Sequence, residues 1–112
     1  MFNKEIYRAY DIRGIVPDEF TAEEGYHIGR AYAQYTGAKK VVVARDMRPT
    51  GDEIEPELIR GLTEGGVDVI RVGLATSPLF YFAVHKLRAE GGLMVTASHN
   101  PGVYNGVKMT RQ

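Results

Sequence analysis

The sequence predicts a three-layer α/β/α domain: helices on both faces of a mostly parallel mixed sheet, with one antiparallel edge strand. Short apolar runs at residues 41–44 and 93–95 have the continuous hydrophobic character of buried strands, and residues 67–72 read as another strand with Val67, Val69 and Ile70 as core candidates. Helical periodicity fills the intervals between them, as repeated β-α-β units require. Asn105-Gly106 is a strong turn signal, and residues 107–110 alternate apolar with polar. The last strand is therefore expected to return antiparallel to the one before it, at the edge of the sheet.

Composition bounds the class of protein. The chain has 112 residues, enough for one small domain with a single core. Its 14 basic and 14 acidic side chains cancel, so no global field draws it to nucleic acid or to an anionic membrane. With no cysteine there is neither a disulfide framework nor a thiolate metal site. No apolar run is long enough to span a bilayer, and residues 1–5 lack the apolar segment of a signal peptide. A cytoplasmic location is the expectation. There is no internal repeat, linker or low-complexity tract.

Taken in order, residues 7–14 read as a short strand ending in a glycine turn, and Val16-Pro17 opens a loop. Thr21 and Glu24 have capping-box spacing, so a helix is expected over about 22–36, stopped by Gly37. Gly29 and Ala33 on it would permit close approach to the sheet. Residues 39–45 form the next strand, and Arg45-Asp46-Met47-Arg48-Pro49-Thr50-Gly51 is the loop at its carboxyl end. A second helix over about 52–65 carries Ile54, Leu58 and Leu62 on one face. Pro56 suggests that its regular part begins nearer 55. After the strand at 67–72, Ser77 is the expected cap of a third helix with Pro78 at its first position. Leu79, Phe82, Ala83, Lys86 and Leu87 set the face expected to lie on the sheet. His27 and His85 read as surface residues.

The stretch that carries chemistry runs from Gly91 to Lys108. The strand Leu93-Met94-Val95 passes straight into Thr96, Ser98, His99 and Asn100. Those side chains then stand at its carboxyl end, the edge where open α/β sheets bind ligands. Lys108 opens the returning strand, so a hydroxyl, an imidazole and an ammonium converge, which suits phosphate chemistry. Residue type alone favours a plainer reading. Serine and asparagine at strand ends more often satisfy loop backbone groups, and most loop histidines are solvated.

The run Thr96-Ala97-Ser98-His99-Asn100-Pro101, followed by Asn105-Gly106-x-Lys108, is far more specific than its residue types. It resembles the phosphoserine loop of the α-D-phosphohexomutases, the family that includes the bacterial phosphomannomutase/phosphoglucomutase enzymes. Ala9-Tyr10-Asp11-Ile12-Arg13-Gly14 is similar to that family's opening motif. The loop at 45–51 resembles its Gly-Arg-Asp-x-Arg-x-Ser-Gly, with Ala44 and Thr50 as departures.

The resemblance implies an intramolecular phosphotransferase that interconverts hexose 1-phosphate and hexose 6-phosphate through a bisphosphorylated sugar. Ser98 would carry the phosphoryl group. Arg13 and Lys108 would supply positive charge, and His99 or Lys108 would assist proton transfer. Tyr10 and Asn100 would line the phosphate site, and Arg45 with Asp46 would brace the loop. A magnesium ion would contact the phosphate on Ser98, and a hexose 1,6-bisphosphate would serve as activator. The family's aspartate-rich metal loop, its sugar-selecting loop and its late phosphate-binding loop have no counterpart in this sequence. Residues 1–112 are therefore expected to be domain I, incomplete at its C-terminus and without domains II–IV. The choice between mannose and glucose is not set here.

Alone, such a piece is expected to be inactive and to self-associate through the uncovered edge of the strand at 106–110. Its partners would be a phosphohexose and the remaining domains. Two other classes compete. A non-catalytic sugar-phosphate-binding module would keep the fold without the reaction. A serine hydrolase fails, because there is no Gly-x-Ser-x-Gly elbow and adjacent serine and histidine side chains diverge on a strand.

Overall fold

The computed structural model describes the backbone of residues 7–8, 11–15, 21–96 and 104–111, and the side chains of residues 21–96 and 105–110. In chain order the elements are β1 (Tyr7–Arg8), β2 (Asp11–Ile15), α1 (Ala22–Thr36), β3 (Lys40–Arg45), α2 (Gly51–Glu64), β4 (Asp68–Leu74), α3 (Ser77–Lys86), β5 (Gly91–Val95) and β6 (Tyr104–Arg111). The described strands form one sheet in the order β1-β2-β6-β5-β3-β4.

Alternation along the central strands builds the three layers. On β3, Val41 and Val43 face one side and join Leu93, Val95 and Val107 beneath α1 and α2. Val42 and Ala44 face the other side and meet Met94 under α3. Every residue of β5 is buried, as its apolar sequence requires. The mixed α/β/α architecture is the expected one, with β3 parallel to β4 and β5, and β6 antiparallel to β5.

The place of β6 differs from expectation. It is not an edge strand, because β2 pairs antiparallel along its outer side from Asp11↔Lys108 to Ile15↔Tyr104. The segment read as one strand at 7–14 is two, β1 and β2, paired with each other. The amide and carbonyl groups invoked for self-association at 106–110 therefore already have partners within the chain. That route to self-association loses its basis.

The helices show where local signals were overridden. α1 begins at Ala22 as its spacing predicts, but Thr21 makes no side-chain capping bond among the described residues. Its carbonyl accepts from the Glu24 amide at 3.1 Å instead. Gly37 closes α1 in the left-handed conformation, with φ of 63°. Gly29 does permit a close approach, though to α2 rather than to the sheet. A Cβ there would lie 2.4 Å from the Leu58 carbonyl oxygen, and one at Gly61 would lie 2.1 Å from that of Tyr26.

α2 starts at Gly51 and runs through Pro56, earlier than the proline suggested. The bond Pro56 cannot donate would have gone to Asp52, an exposed residue that water can reach. Ile54, Leu58 and Leu62 are fully buried, as their spacing predicts.

α3 is capped one residue earlier than expected, by the Thr76 hydroxyl, which accepts from the Leu79 amide at 3.3 Å. Its buried face is Phe80, Ala83 and Val84, while Leu79 is 47% and Phe82 60% exposed. Nearly every position from 79 to 84 is apolar, so periodicity could not choose the face. Gly92 chose it: a Cβ there would sit 2.7 Å from the Phe80 ring and from Val84, so these two side chains fill the space over the glycine. No described helix is long and apolar enough to cross a membrane.

Candidate functional site at the carboxyl ends of β3 and β5

β3 and β5 are adjacent and parallel, and their carboxyl ends meet at Arg45↔Val95. From there the connections diverge. β3 leads through α2 to β4 on one side, and β5 leads to β6 on the other. Such a divergence opens a crevice at the strand ends, where ligands of open α/β sheets bind.

Asp46, the first residue after β3, organises this edge. Its amide donates to the Val95 carbonyl at 3.1 Å. Its carboxylate accepts from the Thr96 hydroxyl at 2.6 Å, from the Arg48 amide at 3.1 Å and from Arg48 Nε at 3.0 Å. Charge-assisted bonds of this kind are stronger than neutral ones, and three of them fix the carboxylate in one orientation. Thr96, the first residue of the Thr96–Pro101 run, is also held by its amide, which donates to Gly106 O at 2.9 Å.

The return of the chain is fastened to the same loop. Asn105, fully buried, donates from Nδ2 to Thr50 Oγ1 at 2.8 Å and accepts the Gly106 amide on Oδ1 at 2.9 Å. The sequence marked Thr50 only as a departure from a motif and Asn105 as a turn former. Their partnership spans 55 positions of chain, and no local signal could have revealed it.

Among the described residues, Arg45 has partners different from those of Asp46. Its guanidinium turns to the start of α2, where Nη1 pairs with Asp52 and Nε lies 3.4 Å from Glu55 Oε1. Glu55 was missed by the sequence reading. Its side chain is 1% exposed and also accepts from Arg71 Nε and Nη2 at 3.0 and 2.9 Å. Hydrogen bonds to the Glu55 carboxylate push the pKa of the Arg71 guanidinium above its ordinary value. The cluster ties α2 to the end of β3 and the middle of β4.

Replacing Glu55 with alanine is expected to lower stability by about 2 kcal/mol, measured by urea denaturation. Removing one member of a buried ion pair costs about 3–5 kcal/mol, because the other charge is stranded. Here Arg71 is 57% exposed and regains water, and Arg45 keeps Asp52, so the loss is smaller. Glu55→Gln keeps an acceptor oxygen and should lose less than Glu55→Ala. Equal losses in the two variants would show that the charge carries the whole interaction and the retained acceptor oxygen contributes nothing.

Lys108 pairs across the strands with Met94, which places it on the α3 face of the sheet. Its ammonium lies 5.2 Å from the centroid of the Tyr81 ring, within cation–π range. The backbone of Arg13 pairs with Gly106, the residue that also receives the Thr96 amide. Two cationic positions thus lie in β6 and in β2 beyond it, on the side of β5 where Thr96 meets Gly106. The Arg13 side chain falls outside the described residues, and so do Tyr10, Ser98, His99 and Asn100.

Comparison with known proteins decides what this edge belongs to. The sequence model of "Phosphoglucomutase/phosphomannomutase, alpha/beta/alpha domain I" matches residues 4–112. The chain belongs to that family. A "Phosphomannomutase" of Klebsiella pneumoniae is 43% identical over 106 residues, covering 95% of this chain and 68% of that relative. A "Phosphomannomutase/phosphoglucomutase" of Pseudomonas aeruginosa is 46% identical over 107 residues, 93% of this chain but 23% of that relative. A crystal structure of a phosphoglucomutase/phosphomannomutase family protein from Burkholderia thailandensis superposes with a TM-score of 0.88 at 38% identity. That match covers 99% of this chain and 27% of that one. Residues 4–112 therefore match the α/β/α domain I of the phosphoglucomutase/phosphomannomutase family, and the chain covers about a quarter of the length of the Pseudomonas and Burkholderia proteins.

Proposed function

We propose that this chain is the phosphoryl-carrying domain of a phosphohexomutase acting on hexose 1- and 6-phosphates of mannose, glucose or both, with Ser98 as the carrier. The observation that carries the reading is the anchoring of Thr96. The residue that opens the Thr96–Pro101 run is bonded to Asp46 where the ends of β3 and β5 diverge, in a chain of this family. Residues 1–112 act as part of domain I, and domains II–IV lie outside them.

In the proposed reaction the phosphorus–Oγ bond of phosphorylated Ser98 breaks as a sugar hydroxyl oxygen bonds to phosphorus. The hydroxyl proton passes to His99 or Lys108. The bisphosphorylated sugar then returns its other phosphoryl group to Ser98 Oγ, and a proton goes back to the sugar oxygen. Phosphoryl transfer depends chiefly on positioning and on cations that spread the charge of the moving group. Arg13 and Lys108 supply that charge, Tyr10 and Asn100 line the phosphate site, and Asp46 holds Thr96.

Magnesium would neutralise charge on the phosphate of Ser98. Among the described residues no group of three or more His, Asp or Glu could hold a metal ion, so they do not by themselves form its site. The remaining ligands are assigned to the parent outside this chain, and the activator is a hexose 1,6-bisphosphate.

The chain alone is expected not to turn over substrate. A mutase must grip its sugar in two orientations, and an open half-site cannot position it. Measurable isomerisation of mannose 1-phosphate or glucose 1-phosphate by residues 1–112 would overturn the assignment of the sugar site to other domains.

A further inference from the structure

The loop between β3 and α2 holds both flanks of residues 97–103 from a single platform. On the entering side Thr96 donates to Asp46 at 2.6 Å, and on the returning side Asn105 donates to Thr50 at 2.8 Å. The two fastenings lie four positions apart on the loop, yet each reaches 50 or more positions along the chain. The platform is itself fixed, through the Asp46 amide on Val95 O and the Gly51 amide on Arg48 O at 3.0 Å.

Thr50 carries an independent sign of this role. It stands at the N-cap of α2, where a hydroxyl ordinarily bonds the first turn of its own helix. Here it makes no such bond, and its oxygen accepts from Asn105 instead. Asn105 has no access to solvent, so its amide nitrogen relies on that hydroxyl.

We propose that Asp46 and Thr50 are positioning residues, which together fix the two flanks of residues 97–103 through Thr96 and Asn105. The functional consequence rests on the reading of Ser98 as phosphoryl carrier. Both ends of the segment must stay in register for Ser98 to meet an incoming phosphoryl group, and displacement of about 1 Å can cost two orders of magnitude in rate.

The test uses the full 112-residue chain with Thr50→Val and Thr96→Val, which remove a hydroxyl and keep the shape, beside Thr50→Ser and Thr96→Ser, which keep the hydroxyl. One arm follows amide hydrogen exchange at Thr96 and Gly106, with Val42 and Leu58 as references in the core. The other follows uptake of phosphate at Ser98 from glucose 1,6-bisphosphate. The valine variants should exchange roughly tenfold faster or more at Thr96 and Gly106, with the references unchanged. Their phosphate uptake should slow by roughly tenfold or more, and the serine variants should restore both readouts. Exchange that is unchanged, or raised equally at all four amides, would overturn the fastening. Faster local exchange with normal uptake would overturn the positioning role. If the unsubstituted chain takes no phosphate at Ser98, the carrier reading fails, and the exchange arm alone decides whether the loop is held from both sides.

Discussion

Gly61→Ala is expected to lower the stability of the domain by about 2–4 kcal/mol, a large share of what a domain this size possesses. The new methyl carbon would lie 2.1 Å from the Tyr26 carbonyl oxygen and 3.0 Å from the Arg30 amide nitrogen. Both obstacles are backbone of α1, so no side-chain rotation relieves them. The helices must separate by about 1 Å, which loosens the contacts of Ile28, Leu58 and Leu62 on the sheet. Alanine would regain about 1 kcal/mol of helix propensity, too little to offset the loss. Gly29→Ala meets the reciprocal obstacle, with Leu58 O at 2.4 Å and Leu62 N at 2.8 Å. Because either change alone forces the helices apart, the double variant should lose less than the sum of the two. Thr63→Ala, at an exposed position of α2, is the control and should change stability little. Denaturant unfolding reads all four variants. A loss at Gly61 no greater than at Thr63 would show that the close approach of the two helices is not needed.

Ser98→Ala is expected to abolish phosphate on the protein while leaving its stability within about 0.5 kcal/mol of the parent. The effect on function should be complete, because the hydroxyl oxygen is the atom that bonds to phosphorus in the proposed reaction and alanine has no substitute. The effect on folding should be small. Ser98 follows the buried strand β5, and Val95 and Thr96 already close that strand against β3 and β6. Phosphopeptide mapping of protein purified from cells, or treated with a hexose bisphosphate, provides the measurement. Phosphate on Thr96 or Thr50 in place of Ser98 would refute the carrier assignment. The structure makes those alternatives specific, since both hydroxyls are committed to partners, Thr96 to Asp46 and Thr50 to Asn105.

Local patterns in the sequence determined the elements that depend on near neighbours. The spacing of Ile54, Leu58 and Leu62 marks the buried face of α2, and Gly37 ends α1, because each follows from backbone geometry within a turn or two. The continuous run Val41–Ala44 identifies a strand covered on both sides, since only such a strand leaves no face for water. The family, too, is legible in the Thr96–Pro101 run and the motifs at 9–14 and 45–51, and the match over 4–112 agrees with it.

Tertiary structure alone decided matters in which one position has several acceptable local answers. α3 is apolar at nearly every position from 79 to 84, so it took the space that Gly92 left open rather than a face set by its own period. β6 has the pattern of a half-covered strand, and only the arrival of β2 from the far end of the chain moved it from edge to interior. In the Arg45-Asp46 pair, adjacent residues point to opposite tasks, Asp46 to Thr96 and Arg45 to Asp52 and Glu55. Glu55 and Asn105 look like ordinary polar residues in the sequence. Each is buried because its partners, Arg71 for one and Thr50 for the other, come from distant segments that only folding brings within hydrogen-bond reach.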